Sequence, residues 1–90
     1  MGYRVGPCGR TAAEVRYIRA ALDVFAQLPP ERRETVRETI ARVAAAPEEG
    51  MALFRMLVQK KTLAATAEAT GISSRRLSQL RQDFFAHMPL

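Results

Sequence analysis

Apolar side chains recur along the chain at spacings of three and four residues, which place them on one face of an α-helix. No stretch keeps the alternation of a half-buried β-strand for more than a short, ambiguous length. We therefore expect an all-α fold of five short helices. Their expected bounds are 11–27, 30–45, 48–60, 62–70 and 73–87. The side chains that this pattern predicts to be mostly buried are Val15, Ile18, Leu22, Phe25, Val36, Ile40, Leu53, Leu57, Ala67, Ile72, Leu77, Leu80 and Phe84.

Short polar signals mark where these helices begin and where the chain breaks between them. Thr11 and Glu14 have the spacing of a capping box, in which each side chain accepts a hydrogen bond from a backbone N–H at the helix start. The Pro29-Pro30 pair ends the first helix, and Pro30 can open the second. A further break falls at residues 46–50, which include a proline and a glycine. These breaks leave short connections between consecutive helices.

A chain of 90 residues makes one domain, in which we distinguish three parts. Residues 1–10 hold three glycines and a proline and are expected to form a loose arm. Residues 11–46 form a pair of helices, and residues 47–90 hold the other three with a helix-turn-helix. Five short helices present more apolar surface than one small core covers. The helices at 11–27 and 30–45 are therefore our candidates for a homodimer surface.

The order of residue types after Thr62 is typical of a helix-turn-helix. Two helices that cross steeply need a small residue where they touch, and Ala67 fills this place. Four residues later the turn usually needs left-handed backbone geometry, which Gly71 adopts without steric cost. Ile72 then supplies an apolar side chain beneath the turn, and Ser73 supplies a hydroxyl that caps the next helix. The last helix is thus predicted to be a recognition helix with its inner face held to the core.

The outward face of the last helix and the two lysines before the fourth helix carry hydrogen-bond donors that suit DNA. In the major groove, arginine pairs with guanine, glutamine with adenine and serine with either base, and a helix N-terminus favours phosphate. The predicted DNA-binding residues are Lys60, Lys61, Ser73, Ser74, Arg75, Arg76, Ser78, Gln79, Arg81 and Gln82. If the protein does not bind DNA, the same pattern is that of an ordinary helical hairpin with a glycine turn and solvated arginines.

Residues 53–85 resemble the helix-turn-helix of bacterial sigma-factor region 4 and of small phage-encoded, sigma-like transcription regulators. The residues that carry the resemblance are Ala67, Gly71, Ile72, Ser73, Leu77, Ser78, Gln79 and Leu80. The resemblance implies that the second helix of the motif enters the major groove of promoter or operator DNA. Thr66 and Thr70 stand where the family has aliphatic residues. From this resemblance we expect recognition of DNA, but not a contact with RNA polymerase.

The charge of the chain favours a polyanionic partner. Lysine and arginine number 14 against 9 aspartates and glutamates, which gives a net charge of +5. Residues 1–50 carry eight basic and seven acidic side chains, whereas residues 51–90 carry six and two. The basic surplus thus lies in the half that holds the helix-turn-helix. It favours nucleic acid first and an anionic membrane second.

The sequence has no pattern typical of an active site or a metal site. Cys8 is the only cysteine and His87 the only histidine, so no cluster has metal-ligand spacing. Glu31, Glu34 and Glu38 share one side of a helix but lie among arginines. No glycine-rich phosphate loop and no nucleophile motif occur. We expect a protein that is not an enzyme and holds no metal or cofactor.

These observations together favour a cytoplasmic regulator of transcription. The chain has no apolar run of bilayer length and no signal peptide at its start, so we expect no membrane partner. The favoured function is sequence-specific binding of double-stranded DNA, as a homodimer or within a larger transcription complex. Two alternatives stay open. One is an adaptor or inhibitor that keeps the helix-turn-helix shape without binding DNA, and the other is a phage DNA-packaging or recombination accessory.

Overall fold

The computed structural model describes residues 9–89, and five α-helices account for most of them. The helices are α1 (Ala12–Asp23), α2 (Pro30–Val43), α3 (Pro47–Leu57), α4 (Leu63–Thr70) and α5 (Ser74–His87), with a 3₁₀ turn at Phe25–Gln27. No β-strand occurs within residues 9–89, so the prediction of an all-α fold of five helices is confirmed. The predicted loose arm at 1–10, with Cys8, lies outside the described residues except for Gly9 and Arg10.

Three of the five helices begin at a side chain that caps them. The Thr11 hydroxyl accepts a hydrogen bond from the Glu14 N–H at 3.2 Å, and the Glu14 carboxylate accepts one from the Thr11 N–H at 2.8 Å. The Thr11 N–H lowers the pKa of the Glu14 carboxyl because it bonds to the charged form. Thr62 and Ser73 cap α4 and α5, each accepting from the N–H three residues on. The other two helices, α2 and α3, begin with a proline, whose missing N–H is no loss in the first turn.

The first helix ends earlier than its apolar pattern predicts. α1 stops at Asp23, and the chain continues as a 3₁₀ turn. Leu28 precedes Pro29 and is held in an extended conformation, so the last turn tightens before the break. Phe25 is nevertheless buried and meets Phe54 edge to face, with ring centroids 5.5 Å apart. The spacing thus predicted the buried side chain correctly but not the tighter turn that carries it.

The core forms where α3 packs against α2, α4 and α5, and where α2 packs against α5. Every side chain predicted to be buried is buried or half-buried, the half-buried ones being Val15, Ala67 and Ile72. The core also contains residues that the prediction did not include. These are Ala52, Met56, Phe85 and Met88. The apolar core therefore continues to the C-terminal end of α5.

Arg10 joins the start of the described chain to the end of α5. Its Nε donates to the Phe85 carbonyl at 3.1 Å, and its Nη2 donates to the Met88 carbonyl at 2.7 Å. The guanidinium thus bonds to carbonyls that have no partner inside the helix. The guanidinium of Arg19, on α1, lies over the Phe85 ring at 5.4 Å from its centroid. These contacts hold α1 against the end of α5.

Candidate nucleic-acid interface

A tight turn at residues 71–73 joins α4 to α5. Gly71 ends α4 in the left-handed region, with a φ of +75° and a ψ of 2°, as the sequence predicted. Its N–H donates to the Ala67 carbonyl at 2.9 Å, which closes the last turn of α4. Ile72 packs half-buried against the core, and Ser73 caps α5. Helix, turn and helix therefore occupy the predicted positions.

Thr66 and Thr70, the two departures from the sigma-like pattern, fit because their hydroxyls bond to the backbone. Thr66 is only 1% exposed, and its hydroxyl donates to the Thr62 carbonyl at 2.8 Å. The Thr70 hydroxyl donates to the Thr66 carbonyl at 2.7 Å and accepts from the Ile72 N–H at 3.2 Å. A threonine whose hydroxyl is bonded in this way can fill an apolar position on a helix. Thr70 also fixes the start of the turn.

α5 has one buried face and one exposed face, in the predicted register. Leu77, Leu80 and Phe84 are fully buried, whereas Arg75 and Gln79 are exposed. Among the other predicted residues of this segment, the exposed ones are Ser73 and Ser74, and the half-buried ones are Arg76, Ser78, Arg81 and Gln82. The N-terminal half of α5 therefore brings several hydrogen-bond donors together on one accessible surface.

The adjacent arginines at the start of α5 have different surroundings. Arg76 donates from Nε and Nη2 to the two carboxylate oxygens of Glu49, at 2.7 and 2.8 Å. Glu49 also accepts from the Ala45 N–H at 2.8 Å. The hydrogen bonds from Arg76, followed by that from Ala45, lower the pKa of the Glu49 carboxyl to about 2. Arg76 thus fastens α5 to α3, whereas the exposed Arg75 is available to a ligand.

The Glu49–Arg76 pair should make the fold sensitive to acid. The pKa of Glu49 in the folded protein lies below its ordinary value of 4.5. The pair therefore contributes its full stabilisation to the fold above pH 4.5, and this contribution is lost as the pH falls towards 2. We expect the unfolding free energy to fall more steeply between about pH 5 and pH 3 in the parent than in Glu49→Gln. Urea titrations followed by circular dichroism measure this.

The control for the acid experiment is Glu48→Gln, which neutralises an exposed carboxylate in the same helical turn. This variant should keep the pH dependence of the parent. Equal pH dependence in the parent and in Glu49→Gln would contradict a stabilising role for the pair.

The two predicted phosphate-binding lysines also differ from each other. Lys60 adopts a φ of +59°, which is uncommon for a residue other than glycine. Its Nζ donates to the Leu57 carbonyl at 3.1 Å and forms an ion pair with Asp23. Lys61 is exposed, and its backbone N–H donates to the Arg55 carbonyl. Lys61 is therefore the better candidate for contact with phosphate, since Lys60 already bonds to the ends of α1 and α3.

Asp83, which lies beside Gln79 on α5, is a residue that the sequence analysis missed. Gln79 Nε2 donates to Asp83 Oδ1 at 3.0 Å, one turn further along α5. Glutamine and aspartate four residues apart are a known stabilising pair on helices, and this spacing could have revealed the contact. His87 follows one turn later, with its Nδ1 2.9 Å from the Asp83 carbonyl oxygen. An acidic side chain thus lies beside a predicted base-reading residue.

A concave surface lies between α2 and α3, apart from the exposed face of α5. It is an open groove of about 710 Å³ with a largely apolar lining. Gly50 forms part of its wall, and an added Cβ there would lie 3.6 Å from the Ile40 side chain. Met51 lines the groove and is 63% exposed. Arg37 and Arg55 also line it, and none of its described lining residues is acidic.

The homodimer surface predicted on α1 and α2 stays a prediction. α1 exposes the large apolar side chain of Tyr17, and Val24 is exposed just after its end. α2 contributes one wall of the groove. Both predicted helices therefore carry apolar surface that the described core does not cover.

Neither a membrane span nor a metal cluster is found in the part of the chain that the structure describes. Each of its helices is too short or too polar to cross a bilayer. No three of its acidic, histidine or cysteine side chains lie close enough together to hold a metal ion. Comparisons with protein-family models, with curated proteins and with solved structures find no match for this chain.

Proposed function

We propose that this protein is a sequence-specific transcription regulator that binds double-stranded DNA with α5 in the major groove. The register of α5 is the observation that carries the proposal. Its apolar side chains pack in the core, while Arg75 and Gln79 project from the exposed face of its N-terminal half. A recognition helix needs this division, because one face must stay packed while the other contacts base edges.

The exposed side chains match the chemistry of DNA. The Arg75 guanidinium can donate two parallel hydrogen bonds to guanine, and the Gln79 amide can donate to and accept from adenine. Ser74 lies at the N-terminus of α5, where the helix dipole favours a phosphate. Lys61 is exposed just before α4 and can neutralise another phosphate. The net charge of +5 has the sign that this partner requires.

The resemblance of residues 53–85 to sigma-factor region 4 and to phage-encoded sigma-like regulators supports the same function. From the same resemblance we infer a cytoplasmic regulator of prokaryotic or phage type. A single helix-turn-helix contacts few base pairs, so a symmetric partner or another protein must supply further contacts. We infer a homodimer formed through α1 and α2, or assembly into a larger transcription complex.

The groove between α2 and α3 favours a second candidate function, an adaptor that binds another protein. An open, apolar groove between two helices suits an amphipathic helix. The partner helix would carry carboxylates, because Arg37 and Arg55 are the charged side chains of the groove.

DNA binding is tested by selecting a preferred site from a random duplex library and then measuring four variants on that site and on random DNA. Arg75→Ala and Gln79→Ala should each weaken binding to the preferred site by about 1–3 kcal/mol and affect random DNA much less. Lys61→Ala should weaken binding to the preferred site and to random DNA equally. It should also make the slope of log K against log salt concentration shallower by about one. The fourth variant, Gln27→Ala, truncates an exposed side chain in the turn between α1 and α2 and should leave site preference unchanged.

All four changes lie at exposed positions, so each should alter the unfolding free energy by less than about 0.5 kcal/mol. A loss of binding is then not a loss of folding. If selection yields no preferred site, or if Arg75→Ala and Gln79→Ala bind like the parent, the DNA-binding proposal is wrong. The adaptor function would then be the better explanation of the fold.

A further inference from the structure

A carboxylate contacts one of the side chains proposed to read bases. The Gln79 amide donates from Nε2 to Asp83 Oδ1 at 3.0 Å. An ionised carboxylate can only accept hydrogen bonds, so the amide nitrogen of Gln79 must face Asp83. The contact thereby selects one of the two orientations of an amide that would otherwise rotate freely in solvent.

The orientation that Asp83 selects leaves the groups that adenine needs. Gln79 keeps its carbonyl oxygen and its second N–H free, and adenine offers an N6 donor and an N7 acceptor in the major groove. An exposed glutamine loses rotamer freedom when it binds a base, and this loss weakens recognition. A glutamine already held by a neighbour loses less. Asp83 should therefore strengthen selection of adenine by Gln79.

The charge of Asp83 acts in the opposite direction. A carboxylate on a DNA-facing helix repels phosphate on every sequence. The nearby Arg76 does not offset this at the DNA surface, because its guanidinium is bonded to Glu49. Asp83 should thus weaken binding to any duplex while it improves base selection.

We propose that Asp83 is a positioning residue that orients Gln79 for recognition of an adenine–thymine pair. The proposal rests on the DNA-binding function proposed above. It predicts a signature that a merely structural side chain would not produce: removal of Asp83 lowers base selection and raises affinity for random DNA.

The experiment compares all four base pairs at each position of the selected site. The position at which Gln79→Ala loses its preference identifies the base pair that Gln79 reads. At that position Asp83→Ala should lower the preference for adenine at least about fivefold. Its affinity for random duplex should rise by about two- to fivefold, because one repulsive charge is gone. Glu68→Ala, which removes an exposed carboxylate of α4, is the matched control and should not change base preference.

Two further variants separate the hydrogen bond from the charge. Asp83→Asn removes the charge but keeps an acceptor, so it should gain affinity for random DNA and keep more base preference than Asp83→Ala. In a Gln79→Ala background, Asp83→Ala should leave base preference unchanged, because the residue through which it acts is gone. An Asp83→Ala protein that selects adenine like the parent would overturn the inference while the DNA-binding function stands. A parent protein that selects no site at all would overturn both the inference and the DNA-binding function.

Discussion

Replacing Phe84 by alanine is expected to lower the free energy of unfolding by about 3–5 kcal/mol. Phe84 is fully buried on the inner face of α5, where its ring meets Phe85 edge to face at 5.7 Å. Its removal leaves a cavity in the core, where α5 packs against α2, α3 and α4. Urea unfolding followed by circular dichroism measures the loss.

The matched control for Phe84→Ala is His87→Ala, which truncates an exposed side chain on the same helix. It should change stability by less than about 0.5 kcal/mol. Phe84→Leu should fall between the two and stays measurable if the alanine variant does not fold. A loss below about 1 kcal/mol in Phe84→Ala would mean that α5 is not held to the core by this face.

Gly71→Val is expected to lower the unfolding free energy by about 1–3 kcal/mol. Gly71 has a φ of +75°, which a β-branched side chain resists. A Cβ at this position would meet no atom within 4 Å, so the loss arises from the backbone and not from a clash. The thermal midpoint of unfolding should drop accordingly.

Gly71→Asn separates backbone strain from loss of flexibility at the turn. Asparagine tolerates the left-handed region far better than valine, so this variant should stay close to the parent. If the asparagine and valine variants unfold at the same temperature, the turn does not depend on its left-handed residue.

Local spacing explains most of what the sequence predicted correctly. The caps at Thr11 and Ser73 each bond to a backbone N–H three residues on, so residue order alone reveals them. The left-handed turn at Gly71 and the apolar stripe of α5 are equally local. Signals of this range were sufficient for the helix order and for the exposed face of α5.

Contacts between distant parts of the chain explain what the sequence did not reveal. Arg75 and Arg76 are equivalent in the sequence, and only the packing of α5 against α3 shows that Arg76 meets Glu49, 27 residues away. The ion pair of Lys60 with Asp23 likewise depends on how α1 lies in the fold. Residue spacing carries no information on such pairs, because they form only once the helices have packed.

The bonds from Arg10 to the carbonyls at the end of α5 bring the two ends of the described chain side by side. Ser74, at the other end of this 14-residue helix, lies about 20 Å away along its axis. A fluorophore attached at the exposed Gly9 or Pro89 would thus sit at the opposite end of α5 from Ser74 and Arg75.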